Sequence, residues 1–480
     1  MLRIKKIFTS VLLMLLLSIS VYLSHAYIAS VNPIVYVYPD DYKASSIGEN
    51  VDVQVKIDSV INLTAYKFKL RFNTTMLKCL STSTGSLFPQ PPRSNYNVSI
   101  NNTQGVISAD VSLQPGETPA SGFGSLLGIT FNATYGAPYP QQETCILEIF
   151  DDYLYGTGTP PQTIPHEKLN GTYTAPYRPP ALNLTLQTSR ENCYFDEKIK
   201  LNGSLLGNGY PIPDALVALE VDNPYKQVIA ARTFPTSTLP ILCPIQIIEL
   251  IPCTGDGTPK NNFPVKTLAY FKLNLTNNAE SGLNITMVVN PYDSSNASLG
   301  APIITRSNIA AGENILQLGF SVPIEETAKS GNATVYASVF SDLVKNGGIP
   351  LAIEKKATFT ISGSAQGTPT YLAPPPQGTY ETILNIHYKP QHTGNYTIYV
   401  AARYMGINAT NNKQIEVTIA GDFNKDQKVD LADLVIFARA YGSKPGDPNW
   451  SQECDLNRDS TVNLPDLVML AYNYGKGTET

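Results

Sequence analysis

The sequence predicts a mainly β protein that ends in a small all-α tail. Three observations carry this prediction. Short runs of apolar/polar alternation recur from residue 31 to about 419, the period of half-buried strands. Pro (36), Gly (33) and Tyr (28) are plentiful, a composition that favours strands joined by turns over helices. From residue 420 the apolar period lengthens to that of a helix, and carboxylates crowd together. The 480 residues allow about three domains of ~150 residues. Charged residues make up only 15% and the formal net charge is −5, so the basic footprint that a nucleic-acid partner needs is missing.

At the N-terminus, Arg3, Lys5 and Lys6 precede an apolar stretch over 7–23 that closes on Ser24-His25-Ala26. This is the layout of a secretory signal peptide over 1–26, with the mature chain expected to begin at Tyr27. The same stretch also reads as an uncleaved anchor, since ~20 apolar residues span a bilayer. Either way the bulk is extracellular, secreted or associated with the cell surface. The six cysteines can pair as Cys79–Cys145 and Cys243–Cys253, leaving Cys193 and Cys454, or can remain buried thiols. Fifteen Asn-x-Ser/Thr sequons, at Asn62, Asn73, Asn97, Asn101, Asn132, Asn170, Asn183, Asn202, Asn274, Asn284, Asn296, Asn332, Asn395, Asn408 and Asn449, mark a glycosylated surface. Polar alternation in a strand such as Leu182-Asn183-Leu184-Thr185-Leu186 also generates sequons unaided.

Residues 31–174 read as short strands. Val51-Asp52-Val53-Gln54-Val55-Lys56-Ile57-Asp58 alternates without a break, and further strands are expected near 66–72, 106–113, 126–131 and 145–150. Gly and Pro clusters separate them, as in a sandwich or jelly roll. Four stretches then carry a resemblance: Ile47-Gly48-Glu49-Asn50-Val51; Leu63-Thr64-Ala65-Tyr66-Lys67-Phe68-Lys69-Leu70-Arg71-Phe72-Asn73 followed by Met76-Leu77; the turn over 102–106; and Gly122-Phe123-Gly124-Ser125-Leu126-Leu127-Gly128-Ile129-Thr130-Phe131. In this order and spacing they resemble a cohesin module. The resemblance implies a nine-stranded jelly roll related to carbohydrate-binding modules, with one sheet face that docks a dockerin.

Pro176, Pro179 and Pro180 mark a semi-rigid linker over 175–181. Strands are expected next at 182–186, 198–201, 217–221 and 228–231, and the phrase Gly203-Ser204-Leu205-Leu206 through Pro211-Ile212-Pro213-Asp214-Ala215-Leu216-Val217 resembles the first strands of Ig-like sandwiches. The same grammar continues to 361. After a Gly/Pro-rich interruption, a further β-rich Ig-like segment occupies 362–419. One or two sandwiches that space the ends apart are the expected role.

The tail is chemically distinct. Residues 420–480 hold ten carboxylates and six Lys/Arg, a net of −4 out of the chain's −5. A 22-residue unit starting at Gly421 recurs at an offset of 33, starting at Cys454, with eleven positions identical. Oxygen donors fall at positions 1, 3, 5, 9 and 12, with a backbone carbonyl at 7, which suits Ca²⁺, a hard cation with ~6–8 oxygen ligands. The expected donors are Asp422, Asn424, Asp426, the Lys428 carbonyl, Asp430 and Asp433 for one ion, and Asp455, Asn457, Asp459, the Thr461 carbonyl, Asn463 and Asp466 for a second. Carboxylates gathered so closely repel one another without a cation, so calcium uptake and folding should be linked. After each loop an apolar stripe follows on one helical face: Leu431, Leu434, Val435, Ala438 and Tyr441, then Leu464, Leu467, Val468, Ala471 and Tyr474.

Position 12 is Asp where an EF-hand has Glu, and only the exiting helix of each helix pair is present. This duplicated unit, joined through 443–453, resembles a type I dockerin over 420–480. The resemblance implies a module folded by two calcium ions, with a helical face that binds a cohesin. Two departures matter. Position 6, a Gly where the loop needs positive φ, is Gln427 and Ser460, which costs ~1 kcal/mol per loop. Positions 10 and 11, where many dockerins carry a Ser/Thr recognition pair, are Leu431-Ala432 and Leu464-Pro465, so partner specificity does not transfer.

No Gly-x-Ser-x-Gly, His-Glu-x-x-His or phosphate-cradling loop occurs, and His166, His387 and His392 have no partner at metal or triad spacing. A glycosidase needs two carboxylates ~5–9.5 Å apart; Glu220, Glu249, Asp256 and Asp293 belong to no motif. The sequence thus predicts a non-catalytic extracellular scaffold or adhesin. It would assemble complexes by calcium-dependent docking to cohesin or dockerin modules on other chains, or to another copy of itself. The alternatives are a carbohydrate-binding protein whose jelly roll reads polysaccharide through exposed Tyr rings, and a hydrolase hidden in 181–361.

Overall fold

In the computed structural model, among the described residues, strands run through residue 418 and α-helices appear only beyond 430. The structure describes residues 32–238, 241–363, 375–386 and 392–477; the leader over 1–26 and His387 lie outside them. Among the described residues no helix is long and apolar enough to cross a membrane. The chain divides into two units, Met1–Arg178 and Pro179–Thr480.

The first unit is a jelly roll of ten sheet strands curled around one apolar core. Its organising element is Asn50–Arg71, a strand of 22 residues. The first half pairs with Ala120–Ala133, setting Val51 opposite Phe131 and Val53 opposite Ile129. The second half lies between Val106–Leu113 and Thr144–Gly156, so that Leu70 faces Ile107 on one side and Ile149 on the other. Inward-facing residues alternate at both ends, Val51, Val53, Val55 and Ile57, then Tyr66, Phe68 and Leu70. Between them the buried positions Ile57, Val60, Leu63 and Tyr66 are three apart. Ser59 (φ 61°) and Asn62 (φ 54°) adopt left-handed conformations here, and the pairing register shifts at both. Period-two alternation predicts separate strands at 51–58 and 66–72. The structure has one, because two bulges interrupt the period without ending the strand.

In the second unit, strands do not pair in the order of the expected segments. Lys198–Gly207 pairs with Thr379–Asn385, and Leu216–Asp222 pairs with Gly394–Tyr404, which pairs in turn with Ile407–Thr418. One sandwich is therefore assembled from strands of 182–235 and 379–418. Strands of 245–362, in a three-stranded and a five-stranded sheet, form another sandwich between these stretches of chain. A division at 361/362 follows linear order, whereas alternation identifies strands and not their partners.

The two sandwiches meet through Ala218, Val228, Ala231, Val288, Phe340 and Val344. Buried polar groups cross the same junction. Arg232 donates to Glu354 at 2.6 and 2.7 Å and lies 3.3 Å from the Tyr336 ring centre. The Asn290 amide donates to the Ala231 carbonyl (2.6 Å) and accepts from its N–H (3.1 Å). Glu220 and Asp222, both fully buried, face Lys345 Nζ at 3.6 and 3.0 Å. Burial, and then the charge of Asp222, pushes the Glu220 carboxyl up to about 7.

All six cysteines are free thiols, so neither expected disulfide forms. The extended strand Ile245–Cys253, at ~3.3 Å per residue, holds Cys243 and Cys253 far beyond the ~7 Å that a bridge tolerates. Cys79 sits opposite Phe131 and Cys145 opposite Tyr173, on different strand pairs.

Candidate metal loops and docking helices

Each copy of the C-terminal repeat folds as a loop followed by a helix, α1 (Leu431–Ala440) and α2 (Leu464–Asn473). Asp430 caps α1 by accepting from Ala432 N at 2.8 Å. Pro465 falls in the first turn of α2, where no helical hydrogen bond is lost. At position 12, Asp433 accepts from the N–H groups of Phe423 (2.7 Å), Asn424 (3.2 Å) and Asp430 (2.9 Å). Asp466 accepts from Asn457 and Asn463, both at 2.9 Å. At position 1, Asp422 accepts from Asp426 (3.1 Å) and Gln427 (2.9 Å), and Asp455 from Asp459 (3.0 Å) and Ser460 (2.8 Å). Asn424 and Asn457 accept from the N–H groups two residues on, and so do Asp426 and Asp459, whose donors are Lys428 N and Thr461 N. Gln427 (φ 72°) and Ser460 (φ 69°) occupy the left-handed region that position 6 demands.

Asp433 and Asp466 are fully buried, and Asp422 and Asp455 nearly so. In the second loop, carboxylate oxygens of Asp455, Asp459 and Asp466 all lie within 4.8 Å of one another; among the described residues the first-loop carboxylates are not drawn in as tightly. Burial, followed by the charges of Asp433 and Asp426, holds the Asp422 carboxyl above the usual carboxylate range. At position 9, Asn463 Oδ1 is buried without a hydrogen-bond partner. An orphaned buried oxygen beside three converging carboxylates is a donor set that suits a hard oxygen-seeking cation.

The apolar stripe of each helix turns outward. Leu431, Val435 and Tyr441 are 63%, 45% and 48% exposed, and their repeat mates Leu464, Val468 and Tyr474 are 60%, 59% and 50% exposed. Ala438 and Ala471 are exposed as well, while Leu434 and Leu467 are half-buried. The module's core is formed by other residues, Phe437, Leu470, Val429, Val462, Cys454 and Leu456. Val429 exchanges backbone hydrogen bonds with Lys476 and Gly475, and Val462 with Ser443 and Gly442, each across to the chain leaving the other copy's helix. This crossed pairing welds the two copies into one body. The signal for it in the sequence is a Val at position 8 of both copies.

Other predicted residues do not converge on this region. None of the fifteen sequon asparagines is buried; Asn132, Asn202, Asn274 and Asn296 are half-buried and the rest exposed. His166 does have a partner that spacing could not reveal: Nε2 lies 2.8 Å from Asp152 and Nδ1 lies 3.0 Å from the Ile164 carbonyl. Both ring nitrogens are engaged inside the jelly roll, by a carboxylate and a backbone carbonyl. Asp293 and Asp256 bind the N–H groups of their own turns, Glu249 is exposed on a strand, and Glu220 is enclosed at the junction between the sandwiches.

Residues 37–149 match the cohesin domain family, and residues 420–473 match the dockerin type I domain family. The chain carries a cohesin and a type I dockerin. Both are non-catalytic modules, and type I dockerins are calcium binders. The cohesin is similar to a non-cellulosomal cohesin from the hyperthermophilic archaeon Archaeoglobus fulgidus, at 16% identity over 30% of this chain and 91% of that one, with a TM-score of 0.25. It is also similar to a type I cohesin–dockerin complex from Clostridium thermocellum (15% identity, 32% of this chain and 99% of that one, TM-score 0.27). A third similar structure is a cohesin bound to a dockerin from Acetivibrio cellulolyticus (18% identity, 30% of this chain and 99% of that one, TM-score 0.26). Among curated proteins, none matches the chain.

Proposed function

We propose that this chain is a non-catalytic extracellular scaffold or adhesin that builds complexes by calcium-dependent cohesin–dockerin docking. The observation that carries the reading is the presence of socket and plug in one polypeptide. Two calcium ions occupy the dockerin loops, one held by Asp422, Asn424, Asp426, the Lys428 carbonyl, Asp430 and Asp433, the other by Asp455, Asn457, Asp459, the Thr461 carbonyl, Asn463 and Asp466. When bound, each ion supplies the positive charge that lets buried carboxylates share one loop. The outward stripes of α1 and α2 then meet a cohesin on another chain, the pairing named for the Clostridium and Acetivibrio complexes. The division into leader (1–26), jelly roll (31–174), linker (175–181), β-rich spacer (182–419) and dockerin (420–480) belongs to the same proposal, as do export and glycosylation at the exposed sequons.

A plug on one copy and a socket on the next make a heterologous contact that can propagate. Light scattering of the purified mature protein should report larger species in calcium that disperse with chelator. A chain that stays monomeric in calcium and also fails to bind a separate cohesin overturns the reading. The carbohydrate-binding alternative is favoured only by Tyr38 and Tyr153, exposed on the jelly roll with Tyr153 stacked on Tyr155. A polysaccharide pull-down separates the two readings.

A further inference from the structure

Each dockerin loop places one cation at position 4, Lys425 and Arg458, related by the 33-residue repeat and both in the left-handed region (φ 61° and 62°). Both reach out to the neighbouring sandwich. Lys425 Nζ lies 3.4 Å from Glu416, and Arg458 holds Glu197 with its two terminal nitrogens at 2.5 and 3.3 Å. Arg458 also donates to the Asn192 carbonyl at 3.4 Å and lies 5.2 Å from the Tyr194 ring centre, while Arg190 shares Glu197 at 2.7 Å. Asn192 and Glu416 are opposite one another on adjacent parallel strands, Asn192–Tyr194 and Ile407–Thr418. The sandwich edge thus presents two carboxylates to two repeat-related cations.

Apolar packing backs this contact. Tyr194 and Phe195 pack against the dockerin core, and the connecting residues Ile419, Ala420 and Gly421 are buried. The chain's one tryptophan, Trp450, lines a cleft of about 910 Å³ at the seam, together with Glu416, Arg458 and the position-1 carboxylates Asp422 and Asp455.

We propose that Lys425 and Arg458 form a calcium-dependent latch between the dockerin and the sandwich that precedes it. This rests on the calcium reading of the loops. Loaded loops hold both position-4 residues in the left-handed turn that aims them at Glu416 and Glu197, and the seam is a strut. Emptied loops, driven apart by their own carboxylates, withdraw the two cations, and the seam becomes a hinge at 419–421. Coupling of this kind is reciprocal, so the sandwich in turn tightens calcium binding.

The full chain, in calcium and in EDTA, tests the latch through acrylamide quenching of Trp450, limited proteolysis at 419–421 and calorimetric counting of bound ions. Calcium should slow both quenching and cleavage in the wild type. Lys425→Ala with Arg458→Ala, and separately Glu197→Ala with Glu416→Ala, should still bind two ions but be cleaved and quenched nearly as fast as in EDTA. Their calcium midpoint should rise about five-fold, as partly exposed ion pairs permit. Variants that bind two ions and stay as protected as the wild type overturn the latch. So does a wild type that binds two ions with no change in quenching. A wild type that binds no ions removes the calcium reading first and the latch with it.

Discussion

Replacing Glu354 with Gln probes how the two sandwiches are joined. Arg232 and Glu354 side chains are only 12% and 10% exposed, and the carboxylate takes two guanidinium hydrogen bonds. In Glu354→Gln the guanidinium stays charged at any working pH, loses its counter-ion, and keeps one neutral amide oxygen and the surrounding rings of Tyr336, Phe234 and Tyr292. Removing one partner of a buried pair costs ~3–5 kcal/mol. Arg232→Met should cost less, towards ~3 kcal/mol, because Glu354 still accepts from Thr233 N (3.2 Å) and Ser338 Oγ (3.0 Å). Arg232→Met with Glu354→Leu removes both charges and should return to within ~1–2 kcal/mol of the wild type. A chain of several modules does not unfold in one step, so the assay is native-state hydrogen exchange, read on Val228–Pro235 and Gly331–Phe340, the strands that carry Arg232 and the ring stacked on it. A cost below ~1 kcal/mol for Glu354→Gln, or a double variant less stable than either single one, refutes the reasoning.

Three further outcomes follow from the same structure. The Glu220 carboxyl sits at about 7 when folded, above ~4.3 for an unfolded Glu. The folded state therefore holds the extra proton between those values, and stability should fall as pH rises from ~4.5 towards 7, by at most ~3 kcal/mol. Glu220→Gln should flatten that decline in melts from pH 5 to 8, and an unchanged slope would count against the assignment. Asp466→Asn should reduce the calorimetric ion count from two to one and shrink the calcium-induced gain by ~3 kcal/mol at 100-fold saturation; two ions of unaltered affinity would sink the donor assignment. Leu431→Glu with Val435→Glu leaves the matching α2 stripe intact, so cohesin binding should drop only a few-fold. Adding Leu464→Glu and Val468→Glu should abolish it, whereas loss of binding with the first pair alone would contradict the equivalence of the helices.

Both loops and both helices were legible because their determinants are local. Ligand spacing, the αL demand at position 6 and the cap at Asp430 all act within a dozen residues. The direction of the stripes was not, since a helical period shows that Leu431 and Val435 share a face but not what lies opposite. Phe437 and Leu470, with Val429 and Val462 crossing between copies, took the core and left the stripes to solvent.

The sequence alone determined where most strands lie, where the two helices start, and that a cohesin and a type I dockerin share one chain. Only the tertiary structure decided that Thr379–Asn385 and Gly394–Tyr404 close a sandwich begun some 180 residues earlier, that bulges at Ser59 and Asn62 interrupt one strand without ending it, and that Lys425 and Arg458 meet Glu416 and Glu197. Local patterns record what each backbone segment prefers. Strand partners and ion-pair partners depend on which surfaces the whole chain brings together, and no window of neighbouring residues contains that information.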